Sequence, residues 1–298
     1  MLRPEGEGWR LRVEPVGAPG ELLGRLRAEA AGAPVALGID CPIGLPRAYV
    51  AGHGVGDGFL AFLRGLAARP GWFQVAETLA EVGGERPFYP RRGVAGMTRA
   101  GHAAALGFTA AGLCRACDRA TAERPAGAPM FWTLGANQSG KAAISAWREV
   151  LIPALAGERV AVWPFEGRFR ALLRPGWVAV AEAYPADALR QLGVRLAGSK
   201  RRQADRAGVA GALAAAMARL GVAGSEMVAD GFGGTRRGRT GSTAWWGRSR
   251  CWRWCGESGA TGRRTMRGCS VGRGGCWGRW RYPVGLGRFQ GGHRSCQT

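Results

Sequence analysis

The sequence lacks any run of about 18 consecutive apolar residues, the minimum that a membrane-spanning helix requires. Its first residues include Arg3, Glu5, Glu7 and Arg10, whereas a secretory signal peptide needs an apolar segment there. These absences argue against an integral membrane protein and against a secreted protein. We therefore expect a soluble, cytoplasmic protein with no membrane partner.

Cysteine and lysine are scarce in most of the chain. Cys41, Cys114 and Cys117 are the only cysteines before residue 235, which is too few for a disulfide framework. Cys114 and Cys117 have the spacing of half a zinc site, but no second Cys or His pair follows at a suitable distance. We interpret them as small, buried or unremarkable thiols. The only lysines are Lys141 and Lys200, and this preference for arginine indicates a GC-rich gene.

The net charge of +21 is concentrated at the end of the chain. Residues 235–298 contain 14 Arg, no Lys and a single acid, Glu257, so this segment carries +13 and residues 1–234 carry +8. The same segment holds six of the 12 Trp and five of the eight Cys. The composition therefore divides the chain into a body, residues 1–234, and a basic tail, residues 235–298.

In the body, short apolar stretches alternate with amphipathic ones. Continuous apolar strands that alternate with helices predict an α/β fold whose sheet is covered on both faces. The predicted strands are 9–17, 34–46, 159–165 and 176–185, and the predicted helices are 20–31, 140–155 and 199–221, with a helical region at 47–130.

A glycine motif from Gly135 to Gly140 and Lys141 has the spacing of a phosphate-binding loop and precedes a predicted helix. The next residue is Ala142, which lacks the hydroxyl that binds magnesium in such loops. A nucleotide hydrolase is therefore the least favoured interpretation. The motif also fits an ordinary helix start, or a loop from which Asn137 and Lys141 contact the backbone of a substrate.

Two carboxylates follow predicted buried strands. Asp40 comes after the strand VALGI and Glu182 after VAVA, so each acid lies where a strand of an α/β fold presents ligands and catalytic groups. Two such acids on neighbouring strands could share divalent cations that activate water against a phosphodiester. The alternative is structural: Asp40 caps the loop at Pro42, and Glu182 pairs with an arginine. The residues alone leave both interpretations open.

An ordered series of stretches resembles the motifs of domain-of-unknown-function family 429, whose members are predicted nucleases with a ribonuclease H-like fold. The resemblance covers about residues 34–234, and the series is more specific than any one of its motifs. The stretches are GIDCPIGLP, RPFYP, CDRAT, FWTLGANQSGKAAISAWREVL, VWPFEG, EAYPADALRQLG and SKRRQADR.

The resemblance implies a ribonuclease H-like mixed sheet flanked by helices over residues 1–234, with a helical insertion at about 47–130. It also implies that Asp40 and Glu182 belong to the active site, where they would hold Mg or Mn. Lys141, Lys200 and Arg201 would then face the phosphates of a nucleic acid substrate. Lys200 and Arg201 fit a solvated helix start equally well.

The chain departs from the family at both ends. Its opening resembles the second strand of the fold, whereas the family begins with an acid-bearing first strand. After about Gly234 the family has a last apolar helix that contains an acid, and this chain has the basic tail instead.

A frameshift near Gly234 best explains the tail. Because Trp has one codon and Cys has two, residues 244–255 can be re-read one base earlier with little ambiguity, and the result is an apolar helix pattern. We therefore expect residues 235–298 to be unstructured. One competing interpretation is single-stranded nucleic acid binding through Arg and Trp. The other is a zinc site formed by Cys251, Cys255, Cys269 and Cys276, although these lack paired C-x-x-C spacing.

The sequence thus predicts a metal-dependent nuclease of the ribonuclease H-like class, incomplete as encoded. A non-catalytic nucleic-acid-binding protein is the alternative from another class, and a P-loop hydrolase ranks third. Metal-dependent cleavage distinguishes the first two, because a binding module retards nucleic acid and leaves it intact. The oligomeric state stays open.

Overall fold

The computed structural model describes residues 1–91, 96–122, 124–135, 138–157, 159–200 and 202–232, together with the backbone of 252–254. These residues form a mixed α/β structure of helices and small sheets. The strands are β1 (Leu2–Glu5), β2 (Gly8–Leu11), β3 (Val35–Ile39), β4 (Val160–Val162), β5 (Val178–Glu182), β6 (Val222–Ala223) and β7 (Trp252–Trp254). The α-helices are α1 (Leu22–Ala30), α2 (Arg47–Gly52), α3 (Phe59–Leu66), α4 (Arg99–Ala105), α5 (Ser139–Ala146), α6 (Ile152–Ala156), α7 (Phe169–Leu172), α8 (Pro185–Gln191), α9 (Gln203–Ala207) and α10 (Ala210–Arg219).

The larger sheet has the strand order β4-β5-β3-β7. β5 lies between β4 and β3 and runs parallel to both, whereas β7 is antiparallel to β3. The side chains of Val35, Leu37, Val178 and Val180 are fully buried. A strand that is covered on both faces needs a continuous run of apolar residues, which is the pattern that the sequence shows here. The predicted buried strands are therefore confirmed, with shorter bounds than the apolar stretches suggested.

The predicted strand 9–17 is correct at its start and too long at its end. β2 ends at Leu11, and no strand continues through residues 12–17, where Pro15 has no amide hydrogen to donate. β2 belongs to a separate small sheet of order β1-β2-β6, antiparallel to β1 and parallel to β6. This sheet packs against α10 through a small core of Leu11, Leu213, Met217 and Val228.

The predicted helix 199–221 is also wrong as a single element. It is divided into α9 and α10 by a turn at Gly208 and Val209, residues that both lower helix stability. The predicted helix 140–155 continues from α5 through a π-helical turn, Trp147–Leu151, into α6. Pro153 lacks the amide hydrogen that an unbroken α-helix needs at that position.

Residues 47–130 hold α2, α3, α4 and several short 3₁₀ turns, as expected for a helical region. Aromatic side chains pack this region onto the sheet and α5. The Trp72 indole stacks parallel to that of Trp147 at 5.9 Å, and it meets Phe88 and Phe131 edge to face. All four side chains are almost completely buried, so the helical region and the sheet share one core.

The predicted unstructured tail lies almost entirely outside the described residues. The exception is β7, whose backbone pairs with Ala36, Leu37 and Gly38 of β3. No helix in the described part of the chain is long and apolar enough to cross a membrane.

Gly140 lies where a side chain does not fit. A Cβ at this position would stand 2.7 Å from the carbonyl carbon of Phe131 and 2.8 Å from the carbonyl oxygen of Trp132. We predict that Gly140→Ala lowers the free energy of unfolding by about 1–3 kcal/mol, because the backbone of a buried segment must move. The control is Gly211→Ala in α10, where nothing lies within 4 Å of the added carbon. Urea denaturation followed by circular dichroism measures both, and equal stabilities would contradict the steric argument.

His102 is completely buried, and its Nε2 donates to the Pro87 carbonyl at 2.7 Å. Burial lowers the pKa of His102, so the folded protein holds this imidazole neutral. The unfolded chain binds the proton more readily, with a pKa of about 6.5. The stabilisation is therefore complete above that pH and is lost as the pH falls below it.

We predict that the free energy of unfolding declines between about pH 6.5 and 5 in part through this residue. Urea titrations at several pH values measure the decline. His102→Gln keeps an N–H donor without a titratable group, so its decline should be shallower. Identical pH profiles for the two proteins would show that His102 does not contribute.

Candidate functional site

The parallel strands β3, β4 and β5 end at one edge of the sheet. Glu182 is the last residue of β5 and pairs in register with Ile39, the last residue of β3. Asp40 follows Ile39 directly, and the amide of Ala183 donates to the Ile39 carbonyl at 2.9 Å. The structure therefore brings the two predicted acids to neighbouring strand ends. Successive residues of an extended chain point to opposite faces, so this register alone does not aim both carboxylates at one point.

Glu182 forms a bidentate ion pair with Arg115. Arg115 Nη1 donates to Glu182 Oε2 at 2.6 Å, and Nη2 donates to Oε1 at 2.7 Å. The side chains are only 6% and 5% exposed. The Ile43 amide also donates to Oε2, at 2.8 Å, and thereby ties the loop after β3 to the same carboxylate.

Asp118 is the second carboxylate on this guanidinium. Arg115 Nε donates to Asp118 Oδ2 and Nη2 donates to Oδ1, both at 2.8 Å. The backbone amide of Arg115 donates to Oδ2 at 3.1 Å, which holds Asp118 across the 3₁₀ turn Ala116–Asp118. Tyr184 Oη accepts from Arg115 Nη2 at 3.0 Å and donates to Asp118 Oδ1 at 3.1 Å. We call Arg115, Asp118, Glu182 and Tyr184 the arginine cluster.

The electrostatics of the arginine cluster fix its protonation states. Burial alone would lower the pKa of Arg115, but the charges and hydrogen bonds of Glu182 and Asp118 outweigh it and hold that pKa well above its usual value. Burial, with the Glu182 charge, raises the pKa of Tyr184, and burial raises the pKa of the adjacent Cys117 to about 11. The hydroxyl and the thiol therefore stay protonated at neutral pH, and neither acts as a nucleophile there.

The donor atoms of the arginine cluster do not fit a divalent metal ion. Both oxygens of Glu182 accept hydrogen bonds from Arg115, and Oε2 accepts another from Ile43. The described residues contain no group of three His, Cys, Asp or Glu side chains that could hold a metal ion. Of the two interpretations of Glu182, the structure shows the pairing with an arginine. Cys114 and Cys117 are free thiols of intermediate burial.

Two of the four predicted substrate-binding residues, Lys141 and Lys200, are among the described residues. Lys141 is exposed in α5, and no ion pair or hydrogen bond joins it to the arginine cluster in the part of the chain that the structure describes. Lys200 is exposed just before α9, and its carbonyl accepts from Arg206 at 3.0 Å. Asn137 and Arg201 lie outside the described residues.

The glycine motif does not form a phosphate cradle at its second glycine. The Gly140 amide, which would face a phosphate in such a loop, donates instead to the Trp132 carbonyl at 2.9 Å. The Ser139 hydroxyl donates to the Pro129 carbonyl. A phosphate-binding loop follows a β-strand, whereas the residues before this motif form only an isolated bridge between Tyr89 and Trp132. The motif therefore starts a packed helix, as one of its interpretations proposed.

Sequence reasoning missed three members of the arginine cluster. Asp118 lies in the stretch CDRAT and Tyr184 in EAYPADALRQLG. Both stretches carry the family resemblance, but it assigned no role to these two side chains. Arg115 and Asp118 have the i, i+3 spacing of a local ion pair, which is the one signal that could have found them. The contact between Arg115 and Glu182 spans 67 residues and leaves no local pattern.

Comparisons with known proteins give no independent assignment. No family model, no curated protein and no solved structure matches this chain.

The arginine cluster predicts that a nearly isosteric substitution of Glu182 destabilises the protein strongly. Glu182→Gln keeps the shape but removes one charge from a buried pair, so we expect the free energy of unfolding to fall by about 3 kcal/mol. The control is Glu85→Gln, since Glu85 pairs with Arg69 on the surface, where such pairs are worth less than about 1 kcal/mol. Chemical denaturation measures both variants. Similar losses for the two would show that the buried pair has no special weight.

Proposed function

We propose that this chain is related to the ribonuclease H-like predicted nucleases and that, as encoded, it binds nucleic acid without efficient metal-dependent cleavage. Two observations support the first part. The ordered sequence motifs of the body resemble those of that family. Asp40 and Glu182 lie at the ends of adjacent parallel strands, where α/β proteins bind ligands.

The single observation that carries the second part is the ion pair between Arg115 and Glu182. A carboxylate that accepts from a guanidinium on both oxygens, at 5% exposure, already has its charge neutralised. Releasing it for another cation means leaving Arg115 buried and partly unpaired, which is costly. This favours the non-catalytic alternative for the chain in its described conformation.

The charge of the chain supports a polyanionic partner. The whole chain carries +21, of which the body contributes +8. Exposed cations attract the phosphate backbone without regard to sequence, and the counterions released make the affinity fall steeply with salt. Lys141 and Lys200 are both exposed and place positive charge at the surface of the body.

The test uses the full chain with labelled single strands and duplexes of DNA and RNA. We predict that it retards these probes on a native gel at low salt and releases them as salt is raised. With Mg or Mn added, the probes should stay intact or be cleaved only weakly. The matched control is Asp40→Asn, which should bind equally well, and it is a cleaner probe of chemistry than the destabilising Glu182→Gln.

Two results would contradict the proposal in different ways. Rapid metal-dependent cleavage that Asp40→Asn abolishes would show an active nuclease and overturn the non-cleaving assignment. Probes that run freely at low salt with the wild-type chain would remove nucleic acid as the partner.

A further inference from the structure

The carboxyl edge of the larger sheet carries an exposed aromatic ring. Few large apolar side chains of the described residues are strongly exposed, and Phe165, at 41%, is the aromatic one among them. It follows β4 in the stretch VWPFEG, and the residues after it, Glu166, Gly167 and Arg168, are also exposed. The exposed ring is therefore followed directly in the chain by exposed residues, two of them charged.

Phe165 is held in place from beneath and through its backbone. Its ring lies 4.9 Å from that of Phe59 at an angle of 35°, and Phe59 is itself buried against Trp147. The Phe165 amide donates to the Val162 carbonyl at 3.0 Å, and the Glu166 carboxylate accepts from the Val162 amide at 2.6 Å. A ring fixed in this way offers its surface to a ligand at little cost in side-chain entropy.

Phe165 also lies next to the loop that reaches the arginine cluster. A Cβ at Gly44 would stand 3.6 Å from Phe165 Cζ, so the ring covers this glycine. Gly44 follows Ile43, whose amide donates to Glu182 at 2.8 Å. The exposed ring is thus one residue removed from the backbone that contacts the strand-end carboxylate. This is the edge at which parallel strands of α/β folds bind ligands.

We propose that Phe165 is a stacking site for an unpaired nucleobase of single-stranded nucleic acid. The inference rests on the proposed function and makes it more specific. Every base has a flat face that stacks on an aromatic ring, whereas the bases of a duplex already stack on one another. A single exposed ring suits one planar group with a charged backbone beside it, and Arg168, three residues further along the chain, is an exposed cation.

The experiment must read out this position separately from the Trp-rich and Arg-rich tail. A single-stranded oligonucleotide that carries 5-iodouracil is bound to the full chain, irradiated, and the adduct is mapped by mass spectrometry. Cleavage after Arg159 and Arg168 releases the peptide 160–168, and fragment ions separate an adduct on Phe165 from one on Trp163. We expect an adduct on Phe165 in the wild-type chain.

Two variants and one probe control the assignment. Phe165→Leu, which stays apolar, should lower the adduct yield in this peptide by about fivefold or more, and Phe165→Tyr should retain it, because only the latter keeps an aromatic face. A duplex probe of the same sequence should give the same loss. Melting temperatures close to the wild type confirm that both variants are folded.

The possible failures are distinguishable. If the wild-type chain retards the oligonucleotide but forms adducts only outside peptide 160–168, this inference is overturned and the proposed function stands. An equal yield from Phe165→Leu leads to the same conclusion. If the wild-type chain retards no oligonucleotide at all, the proposed function and the stacking site are overturned together.

Discussion

The buried guanidinium of Arg115 connects parts of the body that the chain order keeps far apart. It holds Asp118 in its own turn and Glu182 at the end of β5, and Glu182 in turn holds the Ile43 amide after β3. The helical region and two strand ends are therefore fixed to one charge. Such a pair adds little net stability when it forms, because both groups lose their hydration, but breaking it leaves an uncompensated buried charge. The orientation of the strand-end loops depends on keeping it intact.

The same contacts set the chemistry that this edge can support. Glu182 lies where a ligand-binding acid is expected, but the guanidinium neutralises it. Tyr184 and Cys117 lie beside the Arg115 and Glu182 ion pair, but burial keeps both the hydroxyl and the thiol protonated. Under the proposed function, the groups that contact nucleic acid therefore lie outside the arginine cluster: exposed cations on the body and the ring of Phe165. Charge and stacking select nucleic acids by their backbone and by unpaired bases, and neither requires a reacting group.

The local sequence pattern predicted secondary structure correctly where the environment of an element is uniform along its length. The apolar runs around Val35–Ile39 and Val178–Glu182 predicted buried strands, and their parallel pairing placed Asp40 and Glu182 at neighbouring ends. The local pattern did not predict the role of a residue where a contact distant in sequence determines it. Gly140 matches a phosphate loop by spacing, but its amide is taken by the Trp132 carbonyl. Arg115 reads as one arginine among many until the fold brings Glu182 to it across 67 residues. The ion pair of Glu182 was therefore predicted only as one of two alternatives, and the sequence did not identify which arginine is the partner.

The strand β7 bears on the origin of the tail. It pairs with Ala36, Leu37 and Gly38 through backbone groups, which every residue except proline offers in the same form. The pairing therefore does not require a sequence selected for it, and a frameshifted segment can form it as readily as any other. Without β7, the backbone donors and acceptors on the outer edge of β3 would have no strand partner, and Val35, Ala36 and Leu37 of this strand are buried. An extended segment close to this edge is stabilised there whatever its side chains, so the pairing of β7 is compatible with the frameshift that the sequence predicts and is no evidence against it.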